Sequence, residues 1–548
     1  MSKRIRWIQG SLITFSCFNI WGGMGSYPSL AQFTVPSEEL PAVQEEEIYV
    51  PVEQALIEEI RVVGSTVFSL EQLNAVVDPY EGQTLSTDQL KALLNAVTQL
   101  YLDEGYYTSR AVYPEQTITE GLLTIEIKEK PVNVRVEWQG KNRLRDRFIR
   151  NRLRATAPLN VPALEDELRV LRDDSRLATV EATLRRDDQA EADELVVQAA
   201  EARNFFGEFS TDNYSAPSLG GERLGVIFGL RNLSGIGDRI VADYKAATSG
   251  GYHSLDLNYE APINSRGGTI QFSSAFDFSK VTQGEFKDLN LRGERSRYEL
   301  AYRQPLLKSS LEEFAVSAGL IYTTGTTFAF GTATPFGFGA GADGTTRTTV
   351  LRLSQDYLRR DRWGAWVGSS TFNFGLGIFD ATENDAPTPD GRFFSWLGQF
   401  QRVQRLNQRH VLLTQLDIQF SPNTLLPSQQ FTIGGGQSIR GYRQNLLIAD
   451  NGFRFSVEDR ITLMRDASGL PSVQLAPFLD VGAAINTKNN PNSLSQNQNV
   501  LAGLGVGILW DPRPDFSLRL DYGYPLVDLD VGENIQDQAL YFNGSFQF

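Results

Sequence analysis

From Asn204 onward, the chain consists of short runs in which apolar and polar residues alternate, separated by glycine, asparagine, aspartate and proline. In "TIQFSSAFDFS", Ile270 and Phe272 share one face, and Gln271 and Ser273 share the other. Such alternation predicts β-strands with one face suited to lipid or a core and the opposite face suited to water. Helical periodicity disappears in this part of the chain, so a sheet protein is predicted there.

The connections between these runs alternate between short and long. Sixteen strands are predicted, near 204–213, 220–232, 237–246, 251–261, 268–279, 292–304, 312–323, 346–357, 364–376, 392–405, 409–420, 452–463, 473–484, 500–510, 515–524 and 538–548. Short turns such as "NQ" and "DPRP" alternate with connections that are often long, such as residues 421–451. This is how outer-membrane β-barrels are built, and an even strand number places both barrel ends on the short-turn, periplasmic side.

The chain ends on the alternating run "LYFNGSFQF", which places Leu540, Phe542, Phe546 and Phe548 on one face. A terminal phenylalanine on such a strand looks like the signal that bacterial barrels present to the barrel assembly machinery. A soluble adhesin built from several β-sandwiches is the alternative. An amphipathic strand that ends the chain on an aromatic residue favours the barrel.

The first residues read as a secretory signal peptide over 1–31. Lys3, Arg4 and Arg6 form a basic start, an apolar stretch follows, and small residues end at Ala31. The acidic, proline-bearing stretch 32–54 is predicted to be a linker. Since no later stretch has eighteen uninterrupted apolar residues, the exported chain is expected to be either a soluble protein or a β-barrel.

Between the linker and the barrel, one pattern occurs twice. Each copy reads β-α-α-β-β in about 75 residues, a viable size for a small domain. In the first copy the predicted helices begin at Ser69 and Ser86, and in the second they are "LRDRFIRNRLRA" and "VPALEDELRVLRDD". The sequence therefore predicts a tandem pair of small α+β domains, over 55–130 and 131–203.

The charge and the reactive residues exclude several functions. With 51 Lys and Arg against 66 Asp and Glu, the net charge of −15 makes nucleic acid an unlikely partner. The only cysteine, Cys17, lies in the signal peptide, and the only two histidines, His253 and His410, are far apart in the sequence. We therefore expect no catalytic set, no metal and no cofactor, and the chain is not expected to be an enzyme.

The stretch "FTIGGGQSIRGY", Phe431–Tyr442, carries three glycines and a lone arginine in the long loop after the eleventh strand. A phosphate-binding loop is excluded, since no Gly-Lys-Ser/Thr follows the glycines. An ordinary surface turn remains one interpretation. The other is that Arg440 enters the barrel lumen and pairs with Asp480, which the alternation of "APFLDVGAA" also places toward the lumen.

Together, these features resemble those of a known superfamily. "SIRGY", with Ile439, Arg440, Gly441 and Tyr442, resembles the loop motif of BamA-like outer-membrane assembly and secretion proteins. The stretch "FLDVG" resembles its partner strand motif, through Phe478, Asp480 and Gly482. The paired α+β units look like periplasmic POTRA domains. Two of these before a sixteen-stranded barrel, over 204–548, resemble the two-partner secretion transporters, or TpsB proteins of the haemolysin and haemagglutinin activator type.

The resemblance implies a transporter in the outer membrane of a Gram-negative-type bacterium, with its POTRA domains in the periplasm. Its partners would be outer-membrane lipids, the barrel assembly machinery and one TpsA-like exoprotein, an adhesin or haemolysin. That exoprotein would be captured unfolded, by strand addition at a POTRA edge, and secreted without ATP. By analogy with the family, the middle strand of each copy, "TSRAVYP" or "LATVEATLRR", is the expected edge, and the first contributes Thr108, Arg110 and Val112. A proline at Arg110 would remove an edge donor, or would unfold the domain if residue 110 instead faces the sheet interior.

Two rival functions share parts of this pattern. A BamA-like insertase, which assembles other barrels, has the same loop and strand motifs but usually more than two POTRA domains. A passive pore or a surface adhesin is the other alternative. Typical TpsB proteins also carry an N-terminal helix that plugs the pore, and the short, proline-bearing 32–54 segment leaves little room for one.

Overall fold

The computed structural model describes residues 54–153, 158–185, 190–284, 286–335, 338–488, 490, 499–527, 536 and 539–548. The predicted signal peptide, the possible plug and nearly all of the predicted linker lie outside these residues. The described chain forms a barrel unit that begins at Arg203 and a separate unit that contains both α+β repeats.

The first repeat packs two helices on a three-stranded sheet. Its strands and helices are β1 (Gln54–Ile57), β2 (Glu59–Val63), α1 (Leu70–Val77), β3 (Gln83–Ser86), α2 (Thr87–Asp103), β4 (Ser109–Val112) and β5 (Leu122–Glu129). The sheet order is β2-β5-β4, with β2 parallel and β4 antiparallel to β5, and β1 pairs with β3 as a separate ribbon. Apolar residues of α2 such as Leu93 and Val97 are fully buried against the sheet.

The second repeat follows the same order without the additional ribbon. Its elements are β6 (Val132–Trp138), α3 (Arg147–Arg150), α4 (Val161–Arg172), β7 (Leu177–Arg185) and β8 (Asp193–Glu201), with the sheet order β6-β8-β7. Thus β4 and β7 are edge strands of their sheets, at equivalent positions in the two repeats.

One helix is much shorter than the sequence predicted. The pattern of "LRDRFIRNRLRA" predicts three turns, but α3 is a single turn that ends at Arg150. Arg147 and Arg150 are three residues apart and Arg150 and Arg154 are four apart, so their positive charges would share one side of a longer helix, which is destabilising. The guanidinium of Arg152 instead lies 3.6 Å above the ring of Phe148.

The first two helices begin where the sequence predicted. Ser69 and Ser86 each accept a hydrogen bond from the backbone N–H three residues on, and the glutamine there bonds back to the serine N–H. None of the helices in the described parts of the chain is both long and apolar enough to cross a membrane.

The barrel is a closed antiparallel sheet of sixteen strands, as predicted. Its wall consists of β9 (Phe205–Asp212), β10 (Arg223–Arg231), β11 (Arg239–Ala247), β12 (Tyr252–Pro262), β13 (Thr269–Lys280), β14 (Arg292–Lys308), β15 (Glu312–Ala329), β17 (Thr345–Asp361), β18 (Gly364–Leu376), β19 (Phe394–Arg405), β20 (His410–Phe420), β23 (Asn451–Arg465), β24 (Pro471–Ile485), β25 (Val500–Arg513), β26 (Phe516–Pro525) and β27 (Leu540–Gln547). A short β16 (Thr332–Ala333) folds back on β15, and β21 (Phe431–Ile433) pairs with β22 (Leu447–Ala449) inside the longest connection.

The two faces of the wall follow the sequence alternation. Ile270 and Phe272 lie on the outer surface with 38% and 49% of their area exposed, as lipid-facing residues would. Asp417 and Asp480 point inward and are buried. The longest connection, residues 421–450 between β20 and β23, is held among these inward-pointing side chains.

Candidate functional site

The loop 421–450 carries the glycine-arginine stretch between the short strands β21 and β22. Gly434 and Gly435 adopt φ angles of +111° and +99°, which residues with a side chain rarely reach. The chain then turns so that Arg440 points at the inner faces of β23, β24 and β26. We call this loop the luminal loop, since its central residues contact the inward-pointing side chains of the barrel wall.

Arg440 and Asp480 are in direct contact. The Arg440 Nε and Nη2 atoms donate to the two carboxylate oxygens of Asp480 at 2.7 and 2.9 Å, and the Arg440 backbone N–H adds a bond of 3.1 Å. Ser456 Oγ donates to the same carboxylate at 2.6 Å. Arg440 is 4% exposed and Asp480 is fully buried. This is the two-pronged geometry in which guanidinium–carboxylate pairs are strongest.

Phe478 and Gly482, the other residues of the strand motif, form the surface on which the luminal loop packs. The Phe478 ring lies 3.3 Å below the Arg440 guanidinium carbon, a stacking contact between a cation and an aromatic face. Gly482 leaves room for the loop, since a Cβ there would lie 3.2 Å from Ile439 Cδ1 and 2.9 Å from the Phe453 carbonyl oxygen. Ile439 is fully buried in a small apolar cluster with Ile433.

Four further charged residues complete the site, and the sequence reasoning missed them. Glu458 accepts from Arg440 Nη1 at 2.8 Å, from Arg519 Nη2 at 2.6 Å and from Arg460 Nε at 2.9 Å. Arg519 also pairs with Asp521 at 2.6 Å. Each of these side chains is under 10% exposed, so the cluster is buried and, with Asp480, balances three arginines against three carboxylates.

A signal for these residues was present in the sequence. In "FRFSVEDRITL", the residues Arg454, Ser456, Glu458 and Arg460 recur at two-residue spacing and share the luminal face. The strand periodicity alone places them inside the barrel. It does not show which of them lie opposite Arg440, because that depends on the register of strands far apart in the sequence.

The residues after Arg440 fix the loop to the barrel wall. The Tyr442 hydroxyl donates to the Ala502 carbonyl at 2.7 Å and accepts from the Val527 N–H at 3.0 Å. The loop backbone lies directly on β25, where a Cβ at Gly503 would be 1.8 Å from the Arg440 carbonyl oxygen. Only glycine is compatible with this approach, so the glycine of β25 is part of the site.

A second arginine of the wall holds the start of the motif. Arg454 Nη1 donates to the Gln437 carbonyl at 2.5 Å, and its Nη2 pairs with Asp417 of β20. Both charged side chains are buried. The luminal loop is therefore held on two sides, by the ion pairs of Arg440 and by the hydrogen bond from Arg454 to the Gln437 carbonyl.

The predicted capture residues are placed at the first POTRA-like repeat. Arg110 and Val112 lie on β4, and Thr108 precedes it, with its hydroxyl donating to the Lys130 carbonyl at 3.4 Å. The interpretation of Arg110 as an edge donor is wrong. The outward N–H groups of β4 are those of Ser109 and Ala111, and backbone alternation turns the Arg110 N–H toward β5.

Comparison with known proteins places this architecture among secretion proteins. Residues 192–509 match the family described as haemolysin secretion/activation protein ShlB/FhaC/HecB, and residues 55–129 match the ShlB-type POTRA domain. The outer membrane transporter CdiB of Dickeya dadantii is 23% identical over 489 residues, covering 86% of this chain and 82% of that protein.

Two further comparisons agree with this match. The heme/hemopexin transporter protein HuxB of Haemophilus influenzae is 22% identical over 478 residues, covering 83% of this chain and 80% of that protein. The solved structure of CdiB from Escherichia coli superposes with a TM-score of 0.70 at 19% identity, covering 94% of each chain. The similarity in structure supports the fold, a barrel preceded by POTRA domains.

Proposed function

The chain belongs to the haemolysin secretion/activation family of the ShlB/FhaC/HecB type, and from this membership we propose that it captures one unfolded exoprotein in the periplasm and secretes it through its barrel without ATP. Family members are outer-membrane transporters whose POTRA domains lie in the periplasm. The observation that carries the proposal is the luminal loop, which occupies the barrel and is held there by buried ion pairs. A passive pore has no need of such a lock.

The absence of a nucleotide requirement is supported by the chemistry of the glycine stretch. In the sequence, Gly434 to Gly436 are not followed by a lysine that could reach phosphates. In the structure, Gly434 and Gly435 pack against Leu446 and Gln444 of the same loop. The energy for movement would come from capture in the periplasm and from folding of the exoprotein outside the cell.

Deletion of the gene tests the proposed function against its rivals. We expect one large exoprotein to disappear from the cell surface and medium and to accumulate in the periplasm, as measured by quantitative mass spectrometry of the fractions. The levels of other outer-membrane barrels should not change. A general loss of those barrels would instead indicate an insertase, and an unchanged secretome would indicate a passive pore.

The edge of the first POTRA domain is already occupied. The outward N–H of Ser109 donates to the Tyr106 carbonyl at 3.1 Å, and that of Ala111 donates to the Thr98 hydroxyl of α2 at 3.0 Å. An incoming strand would have to break both hydrogen bonds. Strand addition at β4 therefore competes with bonds that the domain makes within itself.

The described residues make fewer hydrogen bonds to the outward N–H groups at the edge of the second POTRA domain. The Val180 carbonyl accepts from Arg172 Nε at 3.0 Å, so Val180 points its backbone groups away from β8. Burial lowers the pKa of the Arg172 guanidinium from its ordinary value. By the same alternation, Ala182 and Leu184 also point their N–H groups outward, and the described residues supply no hydrogen-bond partner for them on that side. We propose that capture uses β7.

A pair of proline substitutions distinguishes the two edges. Ala182→Pro removes an outward donor of β7 without removing a ladder bond to β8, and we expect it to weaken binding of the exoprotein about tenfold. The matched change Ala111→Pro removes the equivalent donor of β4, which already bonds to Thr98. It should leave the affinity unchanged, although it lowers the stability of the domain, because the proline ring takes the place of the N–H and displaces the Thr98 hydroxyl.

The measurement is the affinity of each purified full-length variant for the exoprotein found in the deletion experiment, added from denaturant. Circular dichroism establishes that both variants are folded. Equal affinities of folded Ala182→Pro and wild type would exclude β7 as the capture edge. Loss of exoprotein binding in Ala111→Pro would instead show that capture uses β4.

A further inference from the structure

Among the described residues, β9 and β27, the two strands that close the barrel, are joined by the fewest residue pairs of any two neighbouring wall strands. Their register runs over five pairs, from Asn543↔Asp212 to Gln547↔Glu208, against seven for the next shortest pair, β26 with β27. Backbone bonds between Gly207 and Phe548 extend it at one end. Because ladder bonds scale with the paired length, this closure seam is the weakest join in the wall.

At the other end of the seam, the Asn213 N–H donates to the Phe542 carbonyl at 3.3 Å, and the side chain of the same residue adds two further bonds. Asn213 follows β9, and its side-chain amide donates to the Leu540 carbonyl at 2.9 Å and accepts from the Phe542 N–H at 3.0 Å. The seam thus depends on the position of Asn213. That position is in turn set by residues that contact the luminal loop.

Gln536 joins three segments at this point. Its Nε2 donates to the carbonyls of Asn213 and Ser215 at 2.8 and 2.7 Å, and its Oε1 accepts from the Gln444 N–H of the luminal loop at 3.0 Å. The side chain is fully buried. A single amide therefore links the segment after β9, the connection before β27 and the loop.

Tyr541 of β27 makes the second link. Its hydroxyl accepts from the Gly441 N–H at 2.9 Å and donates to the Tyr442 carbonyl at 2.6 Å, and the whole residue is buried. The ring lies beside Tyr214, which follows β9, and Gly436 of the loop rests on both rings. A Cβ at Gly436 would be 2.5 Å from Tyr214 and 2.9 Å from Tyr541.

We infer that the luminal loop fastens the closure seam, and that Tyr541 and Gln536 are the positioning residues that couple the two. The motif segment 441–444 is bonded to the last strand and to the residues beside it, while Arg440 is bonded to β23 and β24. Withdrawal of the loop must break the bonds to Tyr541 and Gln536. The seam then retains its register pairs and the bonds of Asn213, but Tyr541 and Gln536 lose the loop contacts that fix their positions beside it.

The test measures access to the seam in the full-length protein in lipid vesicles. The chain without its signal peptide contains no cysteine, so Ser545→Cys introduces a single thiol at the partner of Ser210 across the seam. In this background, Tyr541→Phe removes only the hydroxyl. We expect modification of the thiol to become about fivefold faster or more, as loss of a buried hydrogen bond implies. The matched control is Tyr522→Phe on the outer face of β26, where 51% of the residue is exposed.

Two further variants keep the inference testable. Gln536→Leu removes the other link and should accelerate the modification to a similar extent, so it decides the question if Tyr541→Phe does not assemble. Arg440→Ala removes the ion pairs that hold the luminal loop to Asp480 and Glu458, and should also expose the thiol at the seam. Heat-modifiable migration establishes that each barrel is folded. Equal modification rates in wild type and in the folded Tyr541→Phe or Gln536→Leu protein would overturn the coupling, as would an unchanged rate in Arg440→Ala.

Discussion

Replacement of Arg440 with alanine is expected to reduce secretion of the exoprotein at least tenfold while the barrel remains folded. The substitution removes three hydrogen bonds to side-chain oxygens of Asp480 and Glu458. Asp480 is fully buried and retains only the Ser456 hydroxyl and the residue-440 N–H as donors. Leaving a buried charge without its partner costs about 3–5 kcal/mol, enough to release the loop from its seat.

The measurement is the amount of exoprotein in the medium, together with heat-modifiable migration of the barrel. Arg295 supplies the matched control, since it pairs with Asp277 at 2.6 Å with 51% of its side chain exposed. Because the guanidinium of Arg295 is half-exposed to solvent, its pair contributes much less than the fully buried pair of Arg440, and Arg295→Ala should secrete normally. Arg440→Lys should rescue poorly, because one ammonium group cannot reproduce the contacts to two carboxylates.

Asp480→Ala gives a second test of the same pair. It should impair secretion as Arg440→Ala does, and the double variant should be no worse than either single one, because residues in direct contact are not additive. Strictly additive defects, or a lysine that works as well as arginine, would contradict the proposed role of the Arg440–Asp480 pair. The luminal loop would then be an ordinary turn.

Replacement of Asp450 with alanine is expected to loosen the outer part of the luminal loop without freeing Arg440. The Asp450 carboxylate is fully buried and accepts five hydrogen bonds. The donors are Leu425 N–H at 2.9 Å, Gln430 Nε2 at 3.0 Å, Thr487 N–H at 2.8 Å, Thr487 Oγ1 at 2.9 Å and Asn490 Nδ2 at 2.8 Å. It thereby joins both ends of the loop to the connection that follows β24. Each buried donor left unpaired costs about 1–3 kcal/mol.

Proteolysis in intact cells checks this prediction. Proteinase K should cleave the 421–450 loop at least tenfold faster in Asp450→Ala than in wild type, while the barrel remains heat-modifiable. Asp343→Ala is the control, since Asp343 is a half-exposed loop carboxylate that pairs with Arg347 at 3.1 Å. Resistance of Asp450→Ala equal to that of the control would show that Asp450 does not anchor the loop.

Strand alternation explains which parts of the site could be predicted from the sequence. The period-two pattern places Asp480 on the luminal face whatever the neighbouring strands do, because the period is a local property of each strand. The sixteen strands and the closed barrel follow from the same pattern. The Glu458 cluster could not be predicted in the same way, since Arg440, Arg460 and Arg519 meet there only through the register of strands distant in the sequence.

Two of the sequence predictions were wrong. β4 is an edge strand of its sheet, but its outward N–H groups are those of Ser109 and Ala111 rather than that of Arg110, and the hydroxyl of Thr98 bonds the Ala111 N–H from a helix packed beside the strand. That contact is a matter of tertiary packing, which the strand pattern does not contain. Likewise, apolar spacing suggested a long helix at α3, whereas the clustered arginines favour a single turn followed by packing of Arg152 on Phe148.

Translocation in a reconstituted system tests the central claim most directly. The purified protein is placed in liposomes with its POTRA domains outside, and the exoprotein identified by gene deletion is added unfolded, without any nucleotide. We predict that the exoprotein becomes protected from protease added outside until detergent opens the vesicles, and that Arg440→Ala vesicles protect at least tenfold less. Absence of protection with the wild-type protein, or protection that appears only when ATP is supplied, would contradict the account.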